Sequence, residues 1–223
     1  MKALRRYYPP GSVRLKPVAL PEHRCVYVKN AKAGCSTVLQ WLHRIRTGDP
    51  EAAPFNVHLD ADVTRVGDLG WPAMAERLSS DFVFTVVRHP LARFESAVRS
   101  KVIDESINPA RRQIEQSLGL PEAGELTLDQ VVEALERLDP VMMNAHWRPQ
   151  YLNLAHPLVR YDVIGRLETL DRDLESIRDA LGLPDMPHEA RNASSGGVLL
   201  ADRPDLRRRV EVLFEADLDL FGY

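Results

Sequence analysis

The sequence predicts an α/β protein with a central, mostly parallel sheet and helices on both faces. Short apolar, β-branched runs, CVYVK (25–29) and FVFTVV (82–87), alternate with longer stretches of helical periodicity. FVFTVV is apolar almost throughout, as suits a strand buried on both faces of a parallel sheet. Each run also passes directly into a loop and helix that carry chemically useful residues, and ligands of such sheets collect at the carboxyl ends of the strands. A chain of 223 residues suffices for one such domain and is short for two. Its 44% hydrophobic and 27% charged content is ordinary for a globular chain. A net charge of −3 argues against a nucleic-acid partner, for which a strongly basic domain is the rule.

Residues 1–23 hold Pro9, Pro10, Pro17 and Pro21 with little periodicity and read as an extended N-terminal arm; residues 24–223 read as a single domain. Residues 24–29 make the first strand. From Ser36 to about Arg46, Val38, Leu39, Trp41, Leu42 and Ile45 form one helical face, which TGDP ends. The strand at 82–87 runs into Arg88 and a helix started by Pro90, with Leu91, Phe94 and Val98 on one side. Residues 102–125 read as polar and irregular. A capping box from Thr127 to Gln130 opens a helix over 127–138. A short strand begins the segment 161–168. The next helix, 169–181, stacks Leu170, Leu174, Ile177 and Leu181 and stops at Gly182. RNASSGG (191–197) is a loop, and a last helix from about residue 202 turns Leu206, Val210, Leu213 and Phe214 inward.

The basic N-terminus lacks the apolar stretch of a signal peptide, and no run approaches the roughly eighteen apolar residues that span a bilayer. Two cysteines, Cys25 and Cys35, make neither a disulfide framework nor a metal site. The expectation is a cytoplasmic protein without stable membrane insertion.

AKAGCST (31–37) carries the first chemistry. Small residues let successive backbone N–H groups curl into one concavity, and the following helix adds its positive end: an anion site. Lys32, Ala33, Gly34, Cys35, Ser36 and Thr37 would line it. It is not the GxxxxGK[ST] loop, because Lys32 precedes the glycine. Taken alone, the stretch is equally well a plain strand–turn–helix junction with an exposed lysine. Cys35 is a small loop residue rather than a phosphatase-type nucleophile, since the position six residues on is Trp41 and not arginine. The second stretch is FTVVRHPLARFESAVRSK (84–101). Arg88 ends the buried strand and Ser96 lies about two turns into the helix, an arginine fork and a hydroxyl suited to a second phosphate. A strand-capping arginine and a surface serine would read the same way.

Together these two stretches resemble the 5′-phosphosulfate loop and the 3′-phosphate motif of sulfotransferases that use 3′-phosphoadenosine 5′-phosphosulfate (PAPS). The similarity is to the carbohydrate sulfotransferases of the chondroitin, dermatan and HNK-1 type and their bacterial relatives. NAHWRPQY (144–151), YDVIGRLETLDRDL (161–174) and DLDLFGY (217–223) agree in order, so the resemblance runs from about residue 24 to the end. The chain departs from the animal relatives in having Leu152 and Leu154, and no cysteine, after the HW segment.

The resemblance implies a P-loop NTPase-like three-layer fold and transfer of a sulfuryl group from PAPS, as co-substrate and without a metal, to a hydroxyl on a sugar or glycosylated small molecule. Lys32 would meet the leaving oxygen, residues 33–37 the 5′-phosphosulfate, and Arg88 with Ser96 the 3′-phosphate. Ser194 and Ser195, in the 191–197 loop, would close over the nucleotide. His58, in FNVHLD, stands where relatives place a histidine near the acceptor, and an imidazole titrates in the range a base needs. His146 is its rival, in a cluster with Trp147 and Arg148 suited to shaping a pocket. For either histidine a structural role stays open. Acceptor selection is expected in 102–150. Two competing readings are a P-loop small-molecule kinase, which would need its lysine after the glycine, and a non-catalytic nucleotide-binding module.

Overall fold

The computed structural model describes residues 14–188 and 199–223. These fall into two compact units, one from residues 15–87 and 154–188, the other from residues 88–153 and 199–223.

The first unit is the α/β part. Its strands are β1 (Pro17–Leu20), β2 (Cys25–Val28), β3 (Thr64–Arg65), β4 (Phe82–Val87) and β5 (Val163–Arg166), in the sheet order β3-β1-β2-β4-β5. The pairings β2–β4 and β4–β5 are parallel, as the alternation of strands and helices predicts. The β1 side is antiparallel to both β2 and β3. Pro17–Leu20, read from sequence as part of the arm, is therefore a strand of the sheet. The turn Pro21–His23 ends in Arg24 at a left-handed φ of 48°, which folds β1 straight back so that Leu20 faces Cys25 and Pro17 faces Val28. Four residues that start with one proline and run into the next are too few to show a period.

The helices of this unit are α1 (Cys35–Thr47), α2 (Val57–Asp60), α3 (Val66–Leu69), α4 (Trp71–Ser80) and α9 (Leu170–Leu181). Leu39, Trp41 and Leu42 of α1 and Leu170, Leu174 and Ile177 of α9 pack in one core with Val18, Leu20, Cys25, Tyr27, Phe84 and Val86 of the strands. Tyr27 and Phe84, neighbours across β2 and β4, stack with ring centroids 5.0 Å apart. Val26, Val28, Val83 and Val87, on the alternate positions, are buried too, which is why these strands are apolar on both faces.

The second unit is helical. It comprises α5 (Pro90–Val98), a π turn at Arg99–Ile103, α6 (Pro109–Leu118), α7 (Leu128–Arg137), α8 (Gln150–Leu154), α10 (Pro204–Leu213) and α11 (Glu215–Phe221). Phe94, Ile114, Val131, Leu135, Trp147, Leu206 and Val210 form its core. α7 has the predicted capping box: the Gln130 N–H donates to Thr127 Oγ1 at 3.2 Å and the Thr127 N–H to Gln130 Oε1 at 2.9 Å.

Within the stretch read as irregular, α6 is a helix. Its buried face carries Arg111 and Glu115 beside Ala110 and Ile114, so hydrophobic periodicity is weak. Arg111 Nε donates to Glu115 at 2.7 Å and its Nη1 to the Val102 carbonyl at 2.6 Å, which is how the charge tolerates burial. Among the described residues no helix is long and apolar enough to cross a membrane.

Candidate active site

β2 ends at Val28, and the chain turns through residues 29–34 before α1 begins. The Ala33 N–H donates to the Asn30 carbonyl at 3.3 Å, closing the turn. Lys32 and Gly34 both take left-handed φ, 66° and 74°. For lysine that conformation costs about 1 kcal/mol, a strain typical of ligand-binding loops. Gly34 is the N-cap of α1 and offers no side-chain acceptor to the first-turn N–H groups. The positive end of a thirteen-residue helix therefore faces the loop.

The loop rests on the segment that follows β5. A Cβ added at Gly34 would lie 2.7 Å from Leu167 Cδ1, so a side chain there would have to push the leucine methyl aside as well as hold a left-handed φ. Leu167 is itself held in place: Asp173 Oδ2 accepts from the Arg166 N–H at 2.7 Å and from Thr169 Oγ1 at 2.8 Å. This gives YDVIGRLETLDRDL a local purpose, the floor under the loop. Two buried polar side chains tie the loop's entry to β4: Asn30 Nδ2 donates to the Val86 carbonyl at 3.1 Å, and Thr85 Oγ1 to the Val28 carbonyl at 2.8 Å. Asn30 was missed from sequence. The available signal was the lone threonine inside FVFTVV and an asparagine just past a strand end.

His58 comes to this loop. Its Nε2 lies 3.0 Å from Ser36 Oγ, in the first turn of α1. The imidazole is exposed but its backbone is fixed. Asn56 Oδ1 caps α2 by accepting the His58 N–H at 3.0 Å, and Asp60 Oδ2 accepts the Asn56 N–H at 2.8 Å. Thr37 is buried behind Ser36 in the sequence of the helix. Burial pushes the Cys35 thiol above its ordinary range, although the charges of Lys29 and Lys32 pull the other way. A thiol held protonated is a poor nucleophile, in keeping with the sequence reading of Cys35. Burial also draws the Lys29 ammonium below the usual lysine range. His43 accepts the Asp62 N–H on Nδ1 at 2.9 Å and braces the turn after α2.

In the helical unit, Arg88 is the residue after β4 and Ser96 is buried on α5. The Arg88 backbone is gripped by a side chain the sequence did not single out. Its N–H donates to Gln150 Oε1 at 3.0 Å and its carbonyl accepts from Gln150 Nε2 at 2.8 Å. His89 caps α5, accepting the Leu91 N–H on Nδ1, and packs edge-on against Tyr223.

His146 also belongs to the helical unit. Asn144 Oδ1 accepts its backbone N–H at 3.1 Å and contacts its Nδ1 at 2.7 Å. An oxygen that accepts a backbone N–H cannot be the amide nitrogen, so Nδ1 carries the proton and Nε2 is the basic nitrogen of the neutral ring. Trp147 does not shape a pocket. It is buried in the helical core with Nε1 donating to the Ala110 carbonyl at 2.9 Å, because so large a ring contributes most when fully packed. Ser194 and Ser195 lie outside the described residues. Among the described residues no group of three or more His, Cys, Asp or Glu side chains could hold a metal ion.

A parallel strand, a left-handed turn with one lysine and a helix terminus, with an imidazole adjoining them, define an α/β protein of P-loop-like build. The chain belongs to the sulfotransferase family, whose model matches residues 18–223. It is similar to carbohydrate sulfotransferase 14 of Danio rerio, 31% identical over 176 residues, covering 73% of this chain and 47% of that protein. It is also similar to two Mus musculus proteins. Carbohydrate sulfotransferase 11 is 26% identical over 206 residues, covering 82% of this chain and 57% of the relative. Carbohydrate sulfotransferase 12 is 31% identical over 191 residues, covering 71% and 44%. The chain thus spans about half the length of the curated relatives it matches. No solved structure matches it.

Proposed function

We propose that the protein transfers the sulfuryl group of PAPS to a carbohydrate hydroxyl and releases adenosine 3′,5′-bisphosphate. The observation that carries this reading is the 3.0 Å contact of His58 Nε2 with Ser36 Oγ, which brings an imidazole against the Lys32–Thr37 loop. Family membership and the names of the relatives support the donor and the acceptor class. Lys32, Ala33, Gly34, Cys35, Ser36 and Thr37 take the 5′-phosphosulfate, and Arg88 with Ser96 takes the 3′-phosphate.

In the reaction the acceptor oxygen bonds to sulfur, the bond from sulfur to the 5′-phosphate oxygen breaks, and the acceptor proton passes to His58. Lys32 meets the negative charge left on the phosphate. Positioning and charge stabilisation then supply most of the rate, by analogy with phosphoryl transfer. The kinase reading has no support: Cys35 stands where the Walker lysine would, and the matching family is one of sulfotransferases.

The test is incubation with sulfur-labelled PAPS and a panel of glycans and aryl glycosides. Label should move to an acceptor with equal release of the bisphosphate. Binding of PAPS without transfer to any acceptor would favour the non-catalytic module, and phosphate transfer from ATP with magnesium would overturn the sulfotransferase reading.

A further inference from the structure

Two segments noted above for their resemblance, NAHWRPQY and DLDLFGY, meet in the helical unit through side chains the reaction does not use. Gln150 and Asp217 are both fully buried, at 0% exposure. The Asp217 carboxylate accepts the first two N–H groups of α8, Gln150 N–H on Oδ2 at 2.7 Å and Tyr151 N–H on Oδ1 at 2.9 Å. The Gln150 amide in turn accepts the Arg88 N–H and donates to the Arg88 carbonyl. A primary amide presents one acceptor and one donor at the spacing of a peptide group, so Gln150 holds Arg88 as a neighbouring strand would. Arg88 is the first residue after β4, where the strand's own pairing has ended at Val87.

Capping the first two N–H groups of α8 and facing the charge of the buried Arg93 give Asp217 a structural reason to be there, but neither requires the Gln150 amide to be bonded to Arg88. What the pair supplies is direction. Fixing both backbone groups of Arg88 fixes the bond from which its guanidinium departs, and a fork that reads a phosphate is useful only when aimed. We propose that Gln150 and Asp217 are positioning residues for Arg88, Asp217 setting Gln150 and Gln150 setting the arginine, so that together they determine how well the protein reads a 3′-phosphate. This rests on the sulfotransferase reading, in which Arg88 is the 3′-phosphate ligand.

The experiment is calorimetric titration of the full chain with adenosine 3′,5′-bisphosphate and with AMP, which lacks the 3′-phosphate. Gln150→Met keeps the side-chain length and removes both hydrogen bonds. It should weaken bisphosphate binding about tenfold or more while AMP binding holds. Asp217→Asn, which exchanges one accepting oxygen for a donor, should give a smaller fall in the same direction, and decides the matter if Gln150→Met does not fold. Val131→Ala, a cavity in the same helical core, should lower Tm and leave the preference for bisphosphate over AMP as in the wild type. If the Gln150 or Asp217 variants keep the wild-type preference, or lose both nucleotides in equal proportion, the inference falls and the sulfotransferase reading stands. A wild type with no preference for the bisphosphate overturns both.

Discussion

Lys32 holds a backbone conformation that a lysine adopts at a cost, and it does so at the point where the loop turns toward the end of α1. If the strain persists because the ammonium acts on the leaving oxygen, the residue matters more in the transition state than in the bound product. Lys32→Ala should then lower turnover on the order of 10²–10³-fold while the Kd for adenosine 3′,5′-bisphosphate changes little. Lys32→Gly relieves the left-handed φ and should melt no lower than the alanine variant, yet show the same catalytic loss. Near-normal turnover in either variant would return Lys32 to the surface. The two histidines are a second question at this scale. His58 touches Ser36 of the loop, whereas His146 has its tautomer set by Asn144, with Nε2 basic. Both are chemically fit to take a proton, and the loop contact favours His58. The acid limb near pH 6–7 that a histidine base gives to kcat/KM should vanish in His58→Ala and persist in His146→Ala. Bisphosphate binding should be intact in both. The reverse pattern would make His146 the base.

The β2–loop–α1 element depends on one glycine. Any side chain at Gly34 meets Leu167 and a φ of 74° together. Gly34→Ala should therefore destabilise by more than the roughly 1 kcal/mol of the dihedral alone. Combining it with Leu167→Ala, which clears the 2.7 Å contact, should recover part of the loss. A strictly additive double variant would mean that Leu167 is no floor for the loop. Elements such as this were legible because their signals are local. The run into α1, the box at Thr127, Pro90 opening α5 and Gly182 closing α9 each sit within a few residues of the feature they specify. β1 was not legible because four residues that begin with a proline and run into another carry no period. α6 was not, because Arg111 and Glu115 occupy positions on its buried face that a pattern search expects to be apolar. The Gln150–Asp217 contact joins residues 67 positions apart, and nothing local in either segment announces the other.

For the whole molecule, composition and charge excluded much and identified little: a chain of net charge −3 with ordinary apolar content fits a great many enzymes. The identity of the ligand is what distinguishes this one, and linkage makes that measurable on the intact protein without knowing the acceptor. A nucleotide that binds the folded chain and not the unfolded one stabilises it by RT ln(1 + [L]/Kd), about 2.7 kcal/mol at a hundred times Kd. For a chain of this size each kcal/mol is worth about 2–4 °C in Tm. Adenosine 3′,5′-bisphosphate and PAPS should then each raise Tm by about 5–10 °C at such a ratio. At the same concentration AMP, without the 3′-phosphate that Arg88 and Ser96 are proposed to take, should shift it hardly at all. ATP with magnesium should do no better, because the loop has Cys35 in place of the lysine that grips a triphosphate. Equal shifts from AMP and the bisphosphate would show that the 3′-phosphate is not read, and a larger shift with ATP and magnesium would make the loop a triphosphate site after all.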